Sequence, residues 1–556
     1  MKYNFTWKKY HRWFGLVLSV FMLVFCVSGI ILNHREAFSG CEVSRKWLPA
    51  SYHIKNFNNG VVKGTVVKNS GSLAISEGFS DSILVYGCAG VFLTDYQLST
   101  WQDFNAGLPK SIDERNVRHL VQARDGSLWC AALRDVYRYD ENARQWKKVE
   151  LPGNEERIMD VALAKDSMTV VALTRSRVFT IVPFVQYGEI VKIGKSSSET
   201  YRVESKIIPA PKNYEPKTTL FKLVWHLHSG EFFGLPGKLV VDAIALVLIV
   251  LSITDIIRFI LPYGIRRAKK VKSEERRVKN SLAAKNRMKR LGKLFAWNMK
   301  WHNKIGYVTI VLTLWIAITG MCLRPPLMVP LVLSKLPQAV GEDGNVWQDK
   351  LRAIRWDAVQ GDWLVSTSEG FLRVDEDFSQ APKMLPDDEC PKLSPMGVTV
   401  WESDGKGGWI VGSFRGIYRW NPVNHKSQIL DYFTNEPCVE TSMIPISDNL
   451  ICGYSEDLFD REPMVFDFAK GVEDAKGQVI NILDEKDAMS DLICETAPMS
   501  LWNVALELHV GRCYSPFLGP LSDLFVFLSG LLITLVLLSG YIISHRRRKK
   551  AQARLK

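Results

Sequence analysis

Four apolar windows, near residues 13–33, 238–261, 305–323 and 517–543, constrain this 556-residue chain more than any other feature. Crossing a bilayer takes roughly 20 predominantly apolar residues, and each window is about long enough. Acidic residues fall only near window ends: Asp242 and Asp255 in the second, Asp523 in the fourth. The reading is four transmembrane helices. Lys and Arg collected beside the spans then set the orientation. Residues 1–12, 258–304 and 546–556 together carry +25, while the whole chain carries +13, so the remainder is near −12.

Both termini and the middle loop are therefore expected in the cytoplasm, and the two long segments across the membrane. The segmentation is a cytoplasmic N-terminus (1–12), a first span (13–34), an external half (35–234) and a second span (235–261). A basic loop (262–301), a third span (302–325), a second external half (326–516), a fourth span (517–545) and a basic tail (546–556) follow. The basic residues hug helix ends, which fits anchoring to anionic membrane lipid and excludes nucleic acid as the partner. FSGCE (38–42) resembles a lipoprotein cleavage box, but the preceding apolar run is too long for a signal peptide, so it reads as a retained anchor. Ten cysteines include no CxxC pair, which argues against a redox dithiol or zinc knuckle and leaves any external pairing open.

Internal repetition is the second constraint. YHRWFGLVLSVFMLVFCVSGIIL and WHNKIGYVTIVLTLWIAITGMCL align His11–Gly15–Gly29 with His302–Gly306–Gly320. LHSGEFFGLPGKLVVD and LHVGRCYSPFLGPLSD align His228 and Asp242 with His509 and Asp523. The chain is thus a tandem, parallel duplication of one unit: helix outward, external domain, helix inward. The small residues either let helices approach closely or make room for a flat cofactor. In the external halves, an Asp- or Gly-led turn, a short strand, a turn and a second strand recur. Copies start near residues 81, 125, 166, 361, 404 and 448. A spacing of 41 to 44 residues suits four-stranded blades. The fold class expected is a four-helix membrane bundle plus an all-β external part, built as one composite β-propeller of 6–8 blades. Two separate antiparallel domains are the alternative.

Five of ten histidines sit at membrane boundaries, and four of these form repeat-related pairs. Two imidazoles facing each other beside small residues and an apolar wall are what haem b needs between helices. His11 and His302 suit a cytoplasmic-side site; two of His34, His228 and His509 suit an external one. Interfacial histidines also serve simply as amphipathic side chains at the headgroup layer. Asp242 and Asp523 either orient a histidine's second nitrogen or lie among headgroups.

WKKYHRWFGLVLSVFMLVFCVSGIILNHRE, followed by LHSGEFFGLPGK, resembles the PepSY-associated transmembrane helix family. Its members are similar to iron-regulated inner-membrane proteins of bacterial siderophore uptake, some of them di-haem ferric-siderophore reductases. The resemblance implies haem ligated by His11, His34, His228, His302 and His509. Two departures stand out: the external halves look like sensor propeller blades rather than PepSY modules, and the fourth span lacks Gly-Leu-Pro-Gly-Lys.

The function expected is haem-based electron transfer at the inner membrane, with two haems b and a ferric-siderophore or iron chelate reduced on the periplasmic side. No GxGxxG or P-loop fingerprint is present, so a quinol or a separate reductase supplies electrons. No catalytic acid or base is required. The alternative is a non-enzymatic, membrane-anchored propeller that binds a ligand or partner protein for a transport or sensing system.

Overall fold

A computed structural model describes residues 3–68, 82–153, 156–183, 185–186, 189–190, 201–275, 282–340, 343–394, 396–423, 429–438, 449–480, 493 and 497–554. Asp81 and Asp448, where two of the expected repeats start, and residues 276–281 of the expected loop lie outside these. The chain separates into two compact units. One comprises Met1–Phe38, Lys217–Gln338 and Leu501–Lys556; the other comprises Ser39–Pro216 and Ala339–Ser500.

The first unit is helical: α1 (Tyr3–Asn33), α2 (Leu220–Ser229), α3 (Gly234–Glu275), α4 (Leu282–Val308), α5 (Ile310–Cys322), α6 (Leu501–Val510) and α7 (Ser522–Gln552). Three stretches, His11–Asn33, Glu231–Arg266 and Arg512–Gln552, are long and apolar enough to cross a membrane. Asn286–Val308 and Ile310–Cys322 meet at a 69° bend and make a fourth crossing only if the bent pair is one span. The third window is therefore broken at residue 309, inside the span expected over 302–325. Thr309 sits at the break, and its hydroxyl donates to the Ile305 carbonyl one turn back, a bond that favours bending. Much of the expected 262–301 loop is helical, forming the ends of α3 and α4.

Packing is pairwise: α1 lies against α3, α6 and α7; α4 lies against α3; α5 lies against α7 and α2. Leu-His-x-Gly acquires a structural meaning here. Gly230 and Gly511 end α2 and α6 with φ of +79° and +88°, a left-handed turn that glycine adopts without Cβ strain. Each motif histidine thus lies in the last turn of a short helix.

Among its described residues the second unit contains two small two-stranded sheets, Glu42–Val43/Met499–Ser500 and Val185–Gln186/Glu189–Ile190, and six larger antiparallel sheets. Five have four strands, with central hairpins at Ile83–Gly87/Gly90–Thr94, Leu128–Ala131/Val136–Asp140, Val170–Thr174/Val178–Pro183, Asp362–Thr367/Gly370–Val374 and Trp409–Ser413/Gly416–Trp420. The sixth has three, Ile451–Ser455, Met464–Asp467 and Gly471–Glu473. The hairpin strands are buried on both faces, because successive side chains point to opposite sides of a sheet and each side meets another sheet. Ile83 and Val85 pack with Cys452 and Phe466 of the sixth sheet, whereas Leu84 and Tyr86 pack with Leu120 and Cys130 of the second. Apolar cores likewise join the second to the third, the third to the fourth, the fourth to the fifth and the fifth to the sixth. The succession of cores returns to the first sheet, so the two halves of the chain meet twice. Nine cysteines among the described residues carry free thiols.

Candidate functional site

The repeated histidines occupy four similar seats in the helical unit. His228 on α2 places Nδ1 3.0 Å from Thr319 Oγ1 on α5. His509 on α6 places Nδ1 2.9 Å from Ser28 Oγ and 3.1 Å from the Phe25 carbonyl on α1. His11 on α1 places Nδ1 2.9 Å from Ser539 Oγ and 3.1 Å from the Val536 carbonyl on α7. His302 on α4 places Nδ1 2.8 Å from Thr254 Oγ1 on α3.

The protons in these contacts can be assigned. Each hydroxyl donates to a carbonyl of its own helix: Ser28 to Val24, Thr254 to Val250, Thr319 to Trp315 and Ser539 to Val536, at 2.6–2.8 Å. The hydroxyl is left to accept, and a carbonyl only accepts, so each Nδ1 carries the hydrogen. Nε2 therefore keeps its lone pair at all four histidines. A ring held through one nitrogen with the other free is a pre-oriented metal ligand.

Room for the rings comes from the residue after the hydroxyl. A Cβ on Gly320 would lie 2.9 Å from His228 Cε1, one on Gly540 2.9 Å from His11 Cε1, and one on Gly29 3.4 Å from His509 Cε1. The fourth seat differs, because Asp255 follows Thr254. Sequence reasoning saw Ser28–Gly29 and Thr319–Gly320 as small residues but missed that each hydroxyl–glycine pair cradles an imidazole. It missed Thr254 and Ser539–Gly540 altogether, and saw Asp255 only as an acid near a window end. Each seat pairs a histidine of one copy with a hydroxyl of the other, a relation that only tertiary structure reveals.

The seats combine into two pairs. The rings of His228 and His509 have centroids 6.2 Å apart. Two imidazoles on opposite sides of one metal, each bound at about 2.0 Å, put their centroids roughly 6 Å apart. His11 and His302 line one cavity together with Gly15, Gly306, Asp255 and Arg258. There, ligand atoms of His11, Asp255 and His302 all lie within 4.8 Å of one another.

His34 joins neither pair by contact. Its Nε2 is 2.6 Å from Asp242 Oδ2, while Asn33 Nδ2 donates to Asp242 Oδ1 at 3.1 Å. Asp242 thus holds His34 through Nε2, the orienting contact to a histidine nitrogen expected of it, whereas the other four candidates are held through Nδ1. Asp523, with its side chain 70% exposed, faces Arg324 at 3.6 Å. Arg324 falls on Asn33 in the register that aligns His11 with His302, so a carboxylate and its partner recur at this level in both copies.

In the sheet unit, Arg355 Nη1 meets Asp160 Oδ2 at 2.6 Å, and His119 Nδ1 lies 3.3 Å from Asp160 Oδ1. Burial alone would raise the Asp160 pKa; Arg355 and His119 outweigh it and hold the carboxyl below its ordinary value. This group ties the third sheet to the fourth, across the junction of the two halves.

Helices long and apolar enough to span a membrane, with paired imidazoles at two levels, define a multi-span membrane protein. The PepSY-associated TM region family matches residues 4–260 and again 267–548, so the chain belongs to that family and carries its unit twice. No curated protein matches the sequence. Among solved structures, the extracellular domain of the one-component system BT4673 from B. thetaiotaomicron is similar at 11% identity and a TM-score of 0.34, covering 77% of this chain and 36% of that one. This chain therefore spans little more than a third of that relative's length. The β-propeller domain of Cps50 (Swd1) from Myceliophteria thermophila is similar at 10% identity and a TM-score of 0.32, covering 78% and 90%.

Proposed function

We propose that this is a haem-binding electron-transfer protein of the bacterial inner membrane, serving iron acquisition. The His228–His509 pair carries the reading, with ring centroids at the separation one metal requires and both Nδ1 atoms held back on hydroxyls. Haem b bound between them would supply reversible one-electron transfer. The protein's part is to fix two imidazoles in one tautomer, clear space with Gly29 and Gly320, and surround the seat with apolar helices. The substrate class is a ferric-siderophore or similar iron chelate on the periplasmic side. The donor is a quinol or a separate reductase.

Both termini are cytoplasmic in this reading, which rests on the basic flanks of the spans. The six larger sheets form one composite propeller of six blades, three from each half, supported by the unbroken succession of apolar cores. Imidazole placement alone would also put a second haem at His11–His302.

The test is the visible spectrum of the full-length protein purified after expression with haem supply. The expected result is a Soret band with sharp α and β bands on dithionite reduction, lost in His228→Ala and His509→Ala. A featureless wild-type spectrum refutes haem binding and favours the non-enzymatic, ligand-binding alternative.

A further inference from the structure

The two histidine pairs differ in one respect that the duplication does not account for. His228 and His509 sit on Thr–Gly and Ser–Gly pairs, whereas His302 sits on Thr254–Asp255, and the carboxylate turns into the seat it shares with His11. We infer that His11, Asp255 and His302 form a two-histidine, one-carboxylate site for a single divalent first-row transition-metal ion, in place of a second haem.

Three observations carry this. The ligand atoms are mutually within 4.8 Å, the scale set by bonds of about 2.0 Å from each donor to one central ion. The donor set of two neutral imidazoles and a carboxylate suits Fe(II), Co(II) or Zn(II), with remaining positions open to water in the cavity. The position of the carboxylate also excludes a macrocycle. An oxygen within 4.8 Å of both imidazole nitrogens falls inside the disc that a porphyrin centred between them would occupy. Among the described residues, no carboxylate joins His228 and His509 in such a group.

Neighbouring groups hold Asp255 in place. Arg258 Nη1 is 3.1 Å from Asp255 Oδ1. Asp255 Oδ2 lies against Gly15, one turn beyond His11 on α1, at a spot that any Cβ at position 15 would fill. Gly15 thus admits the carboxylate to the His11 face. Arg258 secures the carboxylate but repels a cation, so it acts as a brake on affinity.

The experiment uses full-length protein in detergent, stripped with chelator and loaded with Co2+. It reads the cobalt d–d absorption, the metal per chain and the haem per chain on one sample. Wild type is expected to hold about one Co2+ per chain. Asp255→Asn and His302→Gln are expected to weaken binding by more than the roughly 10–100-fold that loss of an outer hydrogen-bond partner costs a metal site. Arg258→Gln keeps a hydrogen-bond donor beside the carboxylate while removing the positive charge, and should tighten binding by about tenfold through lost repulsion, a gain that misfolding would not produce. No cobalt band, or equal binding in Asp255→Asn, overturns the inference. So do two haems per chain with one lost in both His11→Ala and His302→Ala. A missing Soret band refutes the haem reading without touching this one.

Discussion

Gly320→Ala probes the seats most directly. The new Cβ would lie 2.9 Å from His228 Cε1, about half an ångström inside ordinary van der Waals contact. Position 320 lies in α5, so the imidazole is the part able to move. Moving it that far can stretch its 3.0 Å bond to Thr319 Oγ1 to about 3.5 Å, the edge of hydrogen-bonding range. Losing that bond costs about 1 kcal/mol and the overpacking about 1–3 kcal/mol. Gly29→Ala is the matched control. Its Cβ would lie 3.4 Å from His509 Cε1, an ordinary contact, and it shares the helix-propensity gain of about 1 kcal/mol. The two variants should therefore differ by about 2–4 kcal/mol, with Gly320→Ala the less stable. Denaturation in detergent followed by near-UV circular dichroism measures the difference, and the Soret absorbance should fall with it. Equal stability of the two variants would refute the cradle.

Other outcomes follow from the same contacts. Arg355→Ala leaves Asp160 buried without its cation and should cost about 3–5 kcal/mol in urea unfolding of the sheet unit. Asp160 has a depressed pKa in the folded protein, so its contribution is present above the unfolded value of 3.8 and is lost as the pH falls below it; Asp160→Asn should flatten that acid limb. Gly453→Ala drives a Cβ into the Val62 carbonyl, a backbone atom that cannot rotate away, and should destabilise the sheet unit by about 2 kcal/mol or more. Asp242→Asn, which loosens both His34 and Asn33, should lower the melting temperature more than Asp523→Asn, whose exposed contact to Arg324 is worth about 0–1 kcal/mol.

The sequence showed most of what hydropathy and repetition can carry. Three of the four apolar windows mark helices long enough to span and the other marks a bent pair, and the six expected β-repeats fall on the hairpins of the six larger sheets. The 69° bend at Thr309 was hidden, because one hydroxyl back-bonding to a carbonyl leaves apolar content unchanged. The four paired histidines were legible as pairs, since His11/His302 and His228/His509 align in the duplication. Their seats were not, because Ser28 and His509, or Thr254 and His302, are far apart along the chain and meet only when one copy folds against the other. Asp255 was visible only as an acid near a window end. Its role depends on α3 turning that residue toward His11, which periodicity does not encode.

The exchange of seats between copies also says what the duplication is for. A chain with a single copy would carry imidazoles and hydroxyls that never meet within itself. It could complete its seats only by pairing with a second such chain about an axis normal to the membrane. In that pair symmetry would make every change double: an aspartate admitted beside one imidazole would bring its twin, and two like charges would crowd one seat. Joining the copies end to end removes this restriction. Copy one can keep Asp255 where copy two keeps Gly540 after its seat hydroxyl, and the two levels of the bundle become free to specialise.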